Sequence, residues 1–168
     1  MVTRALSNTP SGSSLAEIYH AETFKPRESL AALLGRARDA MTTAVDQGLT
    51  ADPQLAPFEL SWPQLKIFAH LATDGEPKSA AGLCKSMTYD AGAMTRMVDR
   101  LENKGLIRRM PCPRDRRLVY LELTEEGQAI WPQMKEVLRK TLNALMRGFS
   151  PAEARQLEGL LRRIPESG

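Results

Sequence analysis

Apolar residues recur at helical spacing in the first part of the chain, between Pro26 and Gly48. These positions are Leu30, Leu33, Leu34, Ala37, Met41, Ala44 and Val45. Their three- and four-residue intervals predict a long amphipathic helix, and Gly48 is the kind of residue that ends one. Residues 1–25 show no clear periodicity, so we interpret them as a partly ordered N-terminal arm.

A second helix is predicted from Trp62 to about Ala72, after a linker that contains Pro53 and Pro57. Ser61 is suited to cap it, because a serine hydroxyl accepts hydrogen bonds from the free N–H groups of a helix start. The apolar residues of this helix are Leu65, Ile67, Phe68, Ala69 and Leu71. They cover more than one face, so the helix is expected to lie between two layers of the fold.

Two short helices follow the turn at residues 73–77. The first presents Ala80, Leu83, Cys84 and Met87 on one face, and the second presents Met94, Met97, Val98 and Leu101. The chain breaks between them at Thr88 and Tyr89. Asp90 is suited to cap the second helix, which is expected to end near Gly105. Two short helices joined by a tight break predict a helix-turn-helix.

The apolar period then changes from that of a helix to that of a strand. Residues 107–110 and 118–123 are predicted strands, and Val119, Leu121 and Leu123 are expected to share one side of the second. A loop rich in proline and arginine, at residues 111–117, separates them. The pattern predicts a two-stranded ribbon with a basic tip.

Two further helices are predicted in the C-terminal part. The run 124–126 (Thr-Glu-Glu) favours a helix start, Pro132 is expected to kink or loosen that helix, and Gly148 is expected to end it. Residues 150–153 (Ser-Pro-Ala-Glu) form a capping box with proline at the first helical position. The last helix presents Leu157, Leu160, Leu161 and Ile164. The chain is therefore predicted to be mainly α with a small β-hairpin.

Composition narrows the class of protein. The chain has 168 residues, of which 42% are hydrophobic and 26% charged, as expected for one soluble domain. No apolar run approaches the ~20 residues that span a bilayer, so we expect a cytoplasmic protein without a membrane partner. Cys84 and Cys112 lack metal-ligand spacing, which argues against a metal site or a disulfide framework. The net charge of +3 permits a nucleic-acid partner without demonstrating one.

Candidate DNA contacts lie on the outer face of the second helix of the pair and on the basic loop. Arginine suits this role because its guanidinium can read guanine or grip a phosphate, and Gly92 leaves room for a close backbone approach. The candidate set is Thr88, Gly92, Thr95, Arg96, Arg100, Arg114, Arg116 and Arg117. The alternatives are an ordinary solvated helix face and a charged surface turn. Asp115 is the only acid within the basic stretch and is expected to brace one of the arginines.

Two runs carry a more specific signal. The first is Tyr89–Ile107, and the second joins Pro113–Arg117 to Leu121–Gly127. In residue type, order and spacing these runs resemble the recognition helix and the wing of the MarR family, whose members are winged helix-turn-helix transcriptional regulators. The resemblance covers roughly residues 27–164.

The resemblance implies an organisation and a function. Residues 26–50 and 124–164 would form a helical dimerisation region, residues 58–123 the winged helix-turn-helix, and residues 1–25 an additional arm. It implies a homodimer that binds a pseudo-palindromic operator in double-stranded DNA, with recognition helices ~34 Å apart. Most members of the family repress transcription and leave DNA when a small molecule, often a phenolic or other aromatic acid, binds between the two regions.

An aromatic acid requires a cation for its carboxylate and a flat apolar wall for its ring. The candidates are Arg36 and Arg38 on the first helix and Trp62, Lys66 and His70 on the second. Each has an ordinary alternative: Trp62 as packing at a helix start, His70 as a satisfied or exposed histidine, and the arginines as solvated side chains.

Three other readings of the sequence lead to different functions. Cys112 lies among basic residues that can lower a thiol pKa, which suggests a redox-sensing repressor, whereas Cys84 is expected to fill the core. An enzyme is not expected, because the sequence has no glycine-rich phosphate loop, metal cluster or Ser/His/Asp arrangement, and no cofactor is expected either. A protein-interaction module would show no salt-dependent DNA binding, and the arginines of the wing argue against it.

Overall fold

A computed structural model of the chain describes residues 18–73, 78–112 and 118–164. The helices are α1 Leu30–Ala51, α2 Trp62–Thr73, α3 Ala80–Met87, α4 Ala91–Asn103, α5 Glu125–Leu145 and α6 Pro151–Leu161, and the strands are β1 Lys78–Ser79, β2 Ile107–Pro111 and β3 Val119–Leu123. The chain divides into two compact units between Ala37 and Arg38, a boundary that falls within α1. The predicted fold class, mainly helical with a small β element, is confirmed.

The sheet has three strands in the order β1-β3-β2, and both pairings are antiparallel. The sequence predicted only the β2–β3 ribbon, because two residues are too few for β1 to show a period-two pattern. Of the three residues expected to share one side of β3, Leu121 and Leu123 are buried, whereas Val119 is 41% exposed. Val119 pairs with Pro111 at the far end of the ribbon, away from the core.

Helix starts largely follow the caps in the sequence. The Asp90 carboxylate accepts from Ala93 N at 2.8 Å at the start of α4, and Ser150 with Glu153 forms the predicted capping box of α6. The start of α2 differs from the prediction. The Ser61 hydroxyl donates to Gln64 Oε1 there, and the Gln64 side chain in turn accepts from Ser61 N. Gln64 thus satisfies the backbone donor at this helix start.

The end of α4 is fixed by backbone geometry. Gly105 has φ +69°, a left-handed conformation that glycine adopts without steric cost. Its N–H donates to Glu102 O and the N–H of Leu106 donates to Leu101 O, a pair of bonds that defines a Schellman motif. The chain leaves α4 in a fixed direction toward β2.

The core of the second unit draws side chains from α1 to α5, from β2 and β3, and from the segments that connect them. Its largest fully buried side chains are Phe68, Leu49, Leu55, Leu65, Ile67, Leu83, Met94, Leu101, Leu106, Ile107, Met134 and Val45. Leu65, Ile67 and Phe68 are adjacent or nearly so in α2, and all three are buried. This confirms that α2 lies between layers.

Gly48 does not end the first helix, which runs on to Ala51. A Cβ at this position would lie 2.8 Å from Val137 Cγ1 and 3.3 Å from Thr141 Oγ1 on α5. Glycine at position 48 therefore allows α1 and α5 to approach closely. The residue is required for helix packing, although in the sequence it resembled the end of a helix.

The start of α5 packs against the connection between α4 and β2. Thr124 caps α5 by accepting from Gly127 N at 3.1 Å, and its hydroxyl donates to Gly105 O at 2.6 Å. A Cβ on Gly127 would overlap the Leu106 carbonyl oxygen. Only glycine permits this contact, which joins α5 to the helix-turn-helix. Farther along, α5 continues through Pro132 without ending.

The first unit contains residues of the arm and the start of α1. The rings of Tyr19 and Phe24 meet edge to face, with centroids 5.3 Å apart. The Tyr19 hydroxyl accepts from Leu30 N at 3.0 Å, and the Arg36 guanidinium donates to Arg27 O at 3.1 Å. Side chains thus tie the described part of the arm to the first turns of α1.

Within residues 18–73, 78–112 and 118–164, no helix is both long and apolar enough to span a membrane.

Candidate nucleic-acid interface and ligand cleft

Helix α4 has one face buried in the core and one face exposed to solvent. Met94, Val98 and Leu101 are fully buried. The opposite face presents the exposed side chains of Arg96 and Arg100. The predicted recognition helix therefore offers two guanidinium groups on a surface that a rigid core supports.

The N-terminal end of α4 explains the glycine at position 92. A Cβ on Gly92 would lie 3.2 Å from Asp90 Oδ1 and 3.4 Å from Arg96 Nη1. A side chain there would crowd both the helix cap and the guanidinium one turn later. Gly92 is exposed, so its backbone is open to the approach of DNA that the sequence suggested. Crowding of Asp90 and Arg96 is a second reason for glycine at this position.

Two threonines of the candidate interface are exposed but differ in their backbone roles. Thr88 lies in the turn before α4 with φ +55°, which is costly for a β-branched residue. The Thr95 hydroxyl donates to Ala91 O at 2.8 Å within α4. Thr95 therefore presents its methyl group and an already engaged hydroxyl, whereas Thr88 marks a strained turn.

The tip of the wing lies outside the described residues. Arg114, Arg116 and Arg117, together with Asp115, fall in the gap at 113–117, so their predicted DNA contacts stay predictions.

The base of the wing is described, and its arginines have acidic partners. Arg108 pairs with Glu122 across the β2–β3 ladder. Arg109 pairs with both Asp99 and Glu102 of α4, and Arg109 Nη2 lies 2.6 Å from Asp99 Oδ1. The hydrogen bond that Arg109 donates to the Asp99 carboxylate is the main reason that the pKa of Arg109 is raised. These three acids lie outside the basic stretch itself, and two of them, Asp99 and Glu102, fasten the base of the wing to α4.

Lys104 anchors the other end of α4. Its ammonium donates to Glu59 O at 2.9 Å, and burial lowers its pKa from the ordinary value. This link joins the end of α4 to the segment before α2. The sequence offered no sign of it, because the two residues are 45 positions apart.

A cleft of about 480 Å³ lies between the second part of α1, the start of α2 and the turn before α4. Its lining residues are Arg38, Asp39, Thr42, Thr43, Trp62, Pro63, Lys66 and Tyr89. Three of the five predicted effector residues, Arg38, Trp62 and Lys66, therefore line one cavity. Its volume lies within the range of small-molecule sites. Tyr89 was not among the candidates, since it lies in the turn between two other helices.

The cations in this cleft differ in how they are held. Arg38 Nη2 lies 3.2 Å from Asp39 Oδ1, and both side chains are largely exposed. Lys66 Nζ lies 4.7 Å from the centroid of the Tyr89 ring and 5.8 Å from that of Trp62. The backbone of Trp62 is anchored, because its main-chain N–H donates to Asp46 Oδ1 at 2.6 Å. The cleft thus combines an aromatic wall with an ammonium that faces two rings.

Arg36 and His70 occupy other positions. Arg36 belongs to the first unit, where its guanidinium donates to the Arg27 carbonyl. His70 is half-buried on α2, one turn after Lys66.

The two cysteines lie in protected positions. Cys112 is only 6% exposed, and Cys84 is partly buried against the core. A redox sensor requires a thiol that oxidants can reach. The burial of Cys112 in this conformation therefore does not favour the thiol switch that the sequence left open.

A helix-turn-helix, a three-stranded wing and an exposed arginine face on α4 define a winged helix protein. Residues 60–119 match a family model described as MarR family. Two solved structures agree with this match. Apo wild-type MarR from E. coli is 27% identical, with 82% of this chain and 98% of that chain covered and a TM-score of 0.68. A cysteine-to-serine mutant of E. coli MarR complexed with operator DNA is 28% identical, with 81% and 94% covered and a TM-score of 0.71.

A further solved structure extends the likeness of fold. It concerns the regulation of DNA binding of Bordetella bronchiseptica BpsR by 6-hydroxynicotinic acid, and it is 23% identical to this chain. It covers 86% of this chain and 99% of that chain, with a TM-score of 0.74. Residues 60–119 are thus similar to the MarR family of winged helix transcriptional regulators, and the chain shares the fold of E. coli MarR.

Proposed function

We propose that this protein is a homodimeric repressor that binds a pseudo-palindromic operator through α4 and leaves it when an aromatic acid enters the cleft. The observation that carries the DNA-binding part is the exposed pair Arg96 and Arg100, on a helix whose opposite face is fully buried. A rigidly supported helix with guanidinium groups on its free face suits the major groove. The operator-bound E. coli MarR structure supports this use of the fold.

The homodimer is supported by apolar side chains that one chain leaves uncovered. On α6 and just beyond it, Leu157, Leu160, Leu161 and Ile164 are between 38% and 50% exposed. Within the first unit, Leu30, Leu33 and Leu34 of α1 are also exposed. A second copy would remove these surfaces from water, and a two-fold axis would give two equivalent recognition helices.

The effector class follows from the chemistry of the cleft. Trp62 offers a flat apolar wall, Lys66 offers a cation, and the nearby Thr42 and Thr43 carry hydroxyl groups. This combination suits a single-ring aromatic carboxylate with a further polar substituent. The BpsR structure, whose subject is regulation by 6-hydroxynicotinic acid, concerns a ligand of this class in a protein of the same fold.

The DNA-binding part is tested with duplexes selected from a random library by the wild-type protein. Fluorescence anisotropy of a selected duplex should give an affinity that falls steeply with salt, because phosphate contacts release counterions. Arg96→Ala should cost about 1–3 kcal/mol of binding if Arg96 reads a base. Arg155→Ala, an exposed arginine of α6, is the matched control and should bind as the wild type does. Equal binding by the two variants would contradict the proposed DNA face.

The effector part is tested by calorimetry with 2-hydroxybenzoate and DNA-free protein. Lys66→Met should weaken binding roughly 10- to 150-fold, since hydrogen bonds to charged groups contribute about 1.5–3 kcal/mol. Lys135→Met removes the same charge from a lysine over the Trp131 ring, 5.6 Å from its centroid, and should leave binding unchanged. The acid should also release the wild-type protein from its operator. Undiminished binding by Lys66→Met would contradict the assignment of the cation.

A further inference from the structure

Lys66 faces two rings that belong to different parts of the second unit. Trp62 is one turn before it on α2, whereas Tyr89 lies in the turn between α3 and α4. The Tyr89 ring is the nearer one, at 4.7 Å from the ammonium, well within the ~6 Å over which a cation is attracted to a ring face. Among the residues that the structure describes, no carboxylate lies within ion-pair distance of Lys66, so these rings are the partners of this cation.

Tyr89 is directly connected to the start of the recognition helix. The next residue, Asp90, caps α4 by accepting from Ala93 N. The preceding residue, Thr88, has φ +55°, and Tyr89 N itself donates to Cys84 O at 3.2 Å. Because one peptide unit separates Tyr89 from the cap, a shift of Tyr89 also shifts the first turn of α4.

The turn that holds Tyr89 is under strain. A β-branched residue with left-handed φ costs free energy and persists only where its surroundings impose it. Tyr89 supplies part of these surroundings, since its ring packs against the core on one side and meets Lys66 on the other. Weakening the contact with Lys66 therefore favours a different conformation of the turn.

We propose that Tyr89 is a positioning residue that couples the cleft to the recognition helix through competition for Lys66. In the ligand-free protein, Lys66 holds the Tyr89 ring and α4 starts in its DNA-binding position. A carboxylate in the cleft draws the ammonium to itself, and the ring loses its partner. The turn then relaxes and carries the start of α4 with it. This mechanism rests on the proposed function of the cleft as an effector site.

The coupling is tested first without any effector, by a double-mutant cycle on the affinity for a selected operator duplex. Lys66→Met and Tyr89→Leu should each weaken binding roughly 2- to 30-fold, the range that corresponds to a cation–π contact. The double variant should be no weaker than the weaker single variant, because both changes remove the same contact. Tyr89→Phe keeps the ring and should retain wild-type affinity. Additive losses, or a Tyr89→Phe variant as weak as Tyr89→Leu, would overturn the proposal.

The second test separates release from ligand binding, with 2-hydroxybenzoate as the probe. Tyr89→Leu should bind the acid at least as tightly as the wild type, since the ring no longer competes for Lys66. The acid should nevertheless change its operator affinity far less than the wild type's, because coupling between two sites is reciprocal and this variant lacks the coupling element. Full release of Tyr89→Leu from the operator would overturn the proposal.

The outcomes distinguish a failure of the inference from a failure of the proposed function. If the acid does not bind the wild type, the proposed effector class is wrong, and the operator cycle still decides the role of Tyr89. If the wild type selects no DNA, the proposed function is wrong and the coupling falls with it. The same cycle measured on thermal unfolding then reports whether the Lys66–Tyr89 contact exists. Lys135→Met is the charge-matched control throughout.

Discussion

Helices α4 and α6 are both amphipathic, but their apolar faces have different surroundings. In α4, which has 13 residues, Met94, Val98 and Leu101 are completely buried. In α6, which has 11 residues, Leu157 is 38% exposed and Leu160 is 50% exposed. The two helices have similar amphipathic patterns and differ in burial. One chain covers the apolar face of α4 but leaves the apolar face of α6 exposed.

This difference in burial means that the two helices depend on different packing partners. The apolar face of α4 is covered by the core of the same chain. The terminal helix has apolar side chains that another surface must cover, and a second copy is the proposed cover. The two helices should respond differently to the same kind of substitution.

The largest effect is expected from shortening a buried side chain of α4. Leu101→Ala should lower the free energy of unfolding by about 2–5 kcal/mol, because it removes buried methyl groups and leaves a cavity. The measurement is urea unfolding followed by circular dichroism. Leu160→Ala on α6 is the control and should cost the isolated protomer much less, since half of that side chain is already exposed. Equal losses in dilute protomer would remove the contrast between the helices.

The next effect concerns association. Leu161→Asp should weaken dimerisation by about 2 kcal/mol or more, because it places a charge in the centre of a proposed apolar interface. Sedimentation velocity measures the dissociation constant, and circular dichroism should show that the helices remain. Gln156→Asp adds the same charge to an exposed polar position of α6 and should leave association nearly unchanged. A Leu161→Asp variant that stays dimeric would place the interface elsewhere.

Two glycines, one in a packed position and one on the exposed helix α6, allow a further comparison of buried and exposed sites. Gly127→Ala should lower stability by about 1–3 kcal/mol, because the new methyl group overlaps the Leu106 carbonyl oxygen and the backbone must move. Gly159→Ala on α6 meets nothing within 4 Å and should stabilise the helix by about 0.4–1 kcal/mol. Thermal unfolding of both variants checks the signs. If Gly159→Ala weakens the dimer, Gly159 itself lies against the partner.

The smallest effect is a pH dependence at the start of α6. Hydrogen bonds from the Ser150 backbone and side chain lower the pKa of Glu153 below its ordinary value of 4.5. A carboxyl group with a lowered folded-state pKa stabilises the fold above its unfolded pKa, and this contribution disappears as the pH falls through the folded value. Glu153→Gln should therefore show a smaller decrease of Tm between neutral and acidic pH than the wild type. Parallel pH profiles for the two proteins would contradict this role.

Much of the fold could be predicted because local chemistry determines it. Asp90 and Ser150 cap helices through atoms only three residues away, and the apolar faces of α3 and α4 follow from helical spacing. The errors occurred where a distant contact overrides a local signal. Gly48 resembles a helix stop, yet the side chains that make it necessary belong to Val137 and Thr141, about 90 residues later.

The candidate site could be predicted in the same way, as far as local sequence determines it. Arg38, Trp62 and Lys66 follow from the type and position of residues on two adjacent helices, and they line one cleft. Tyr89 did not emerge from that reasoning, because the contribution of a turn to a cleft depends on tertiary packing. For the same reason the sequence could not predict that Arg109 engages two acids of α4.

The double ion pair of Arg109 has a consequence for the shape of the operator. Because Arg109 holds the base of β2 against α4 at two points, the protein fixes the spacing between α4 and the described base of the wing. In the proposed complex with DNA, α4 and the wing would therefore bind as one rigid unit and not independently. If both parts contact DNA as proposed, inserting a base pair between their contact sequences should cost one of the two contacts, and a ligand that tilts α4 should detach both together.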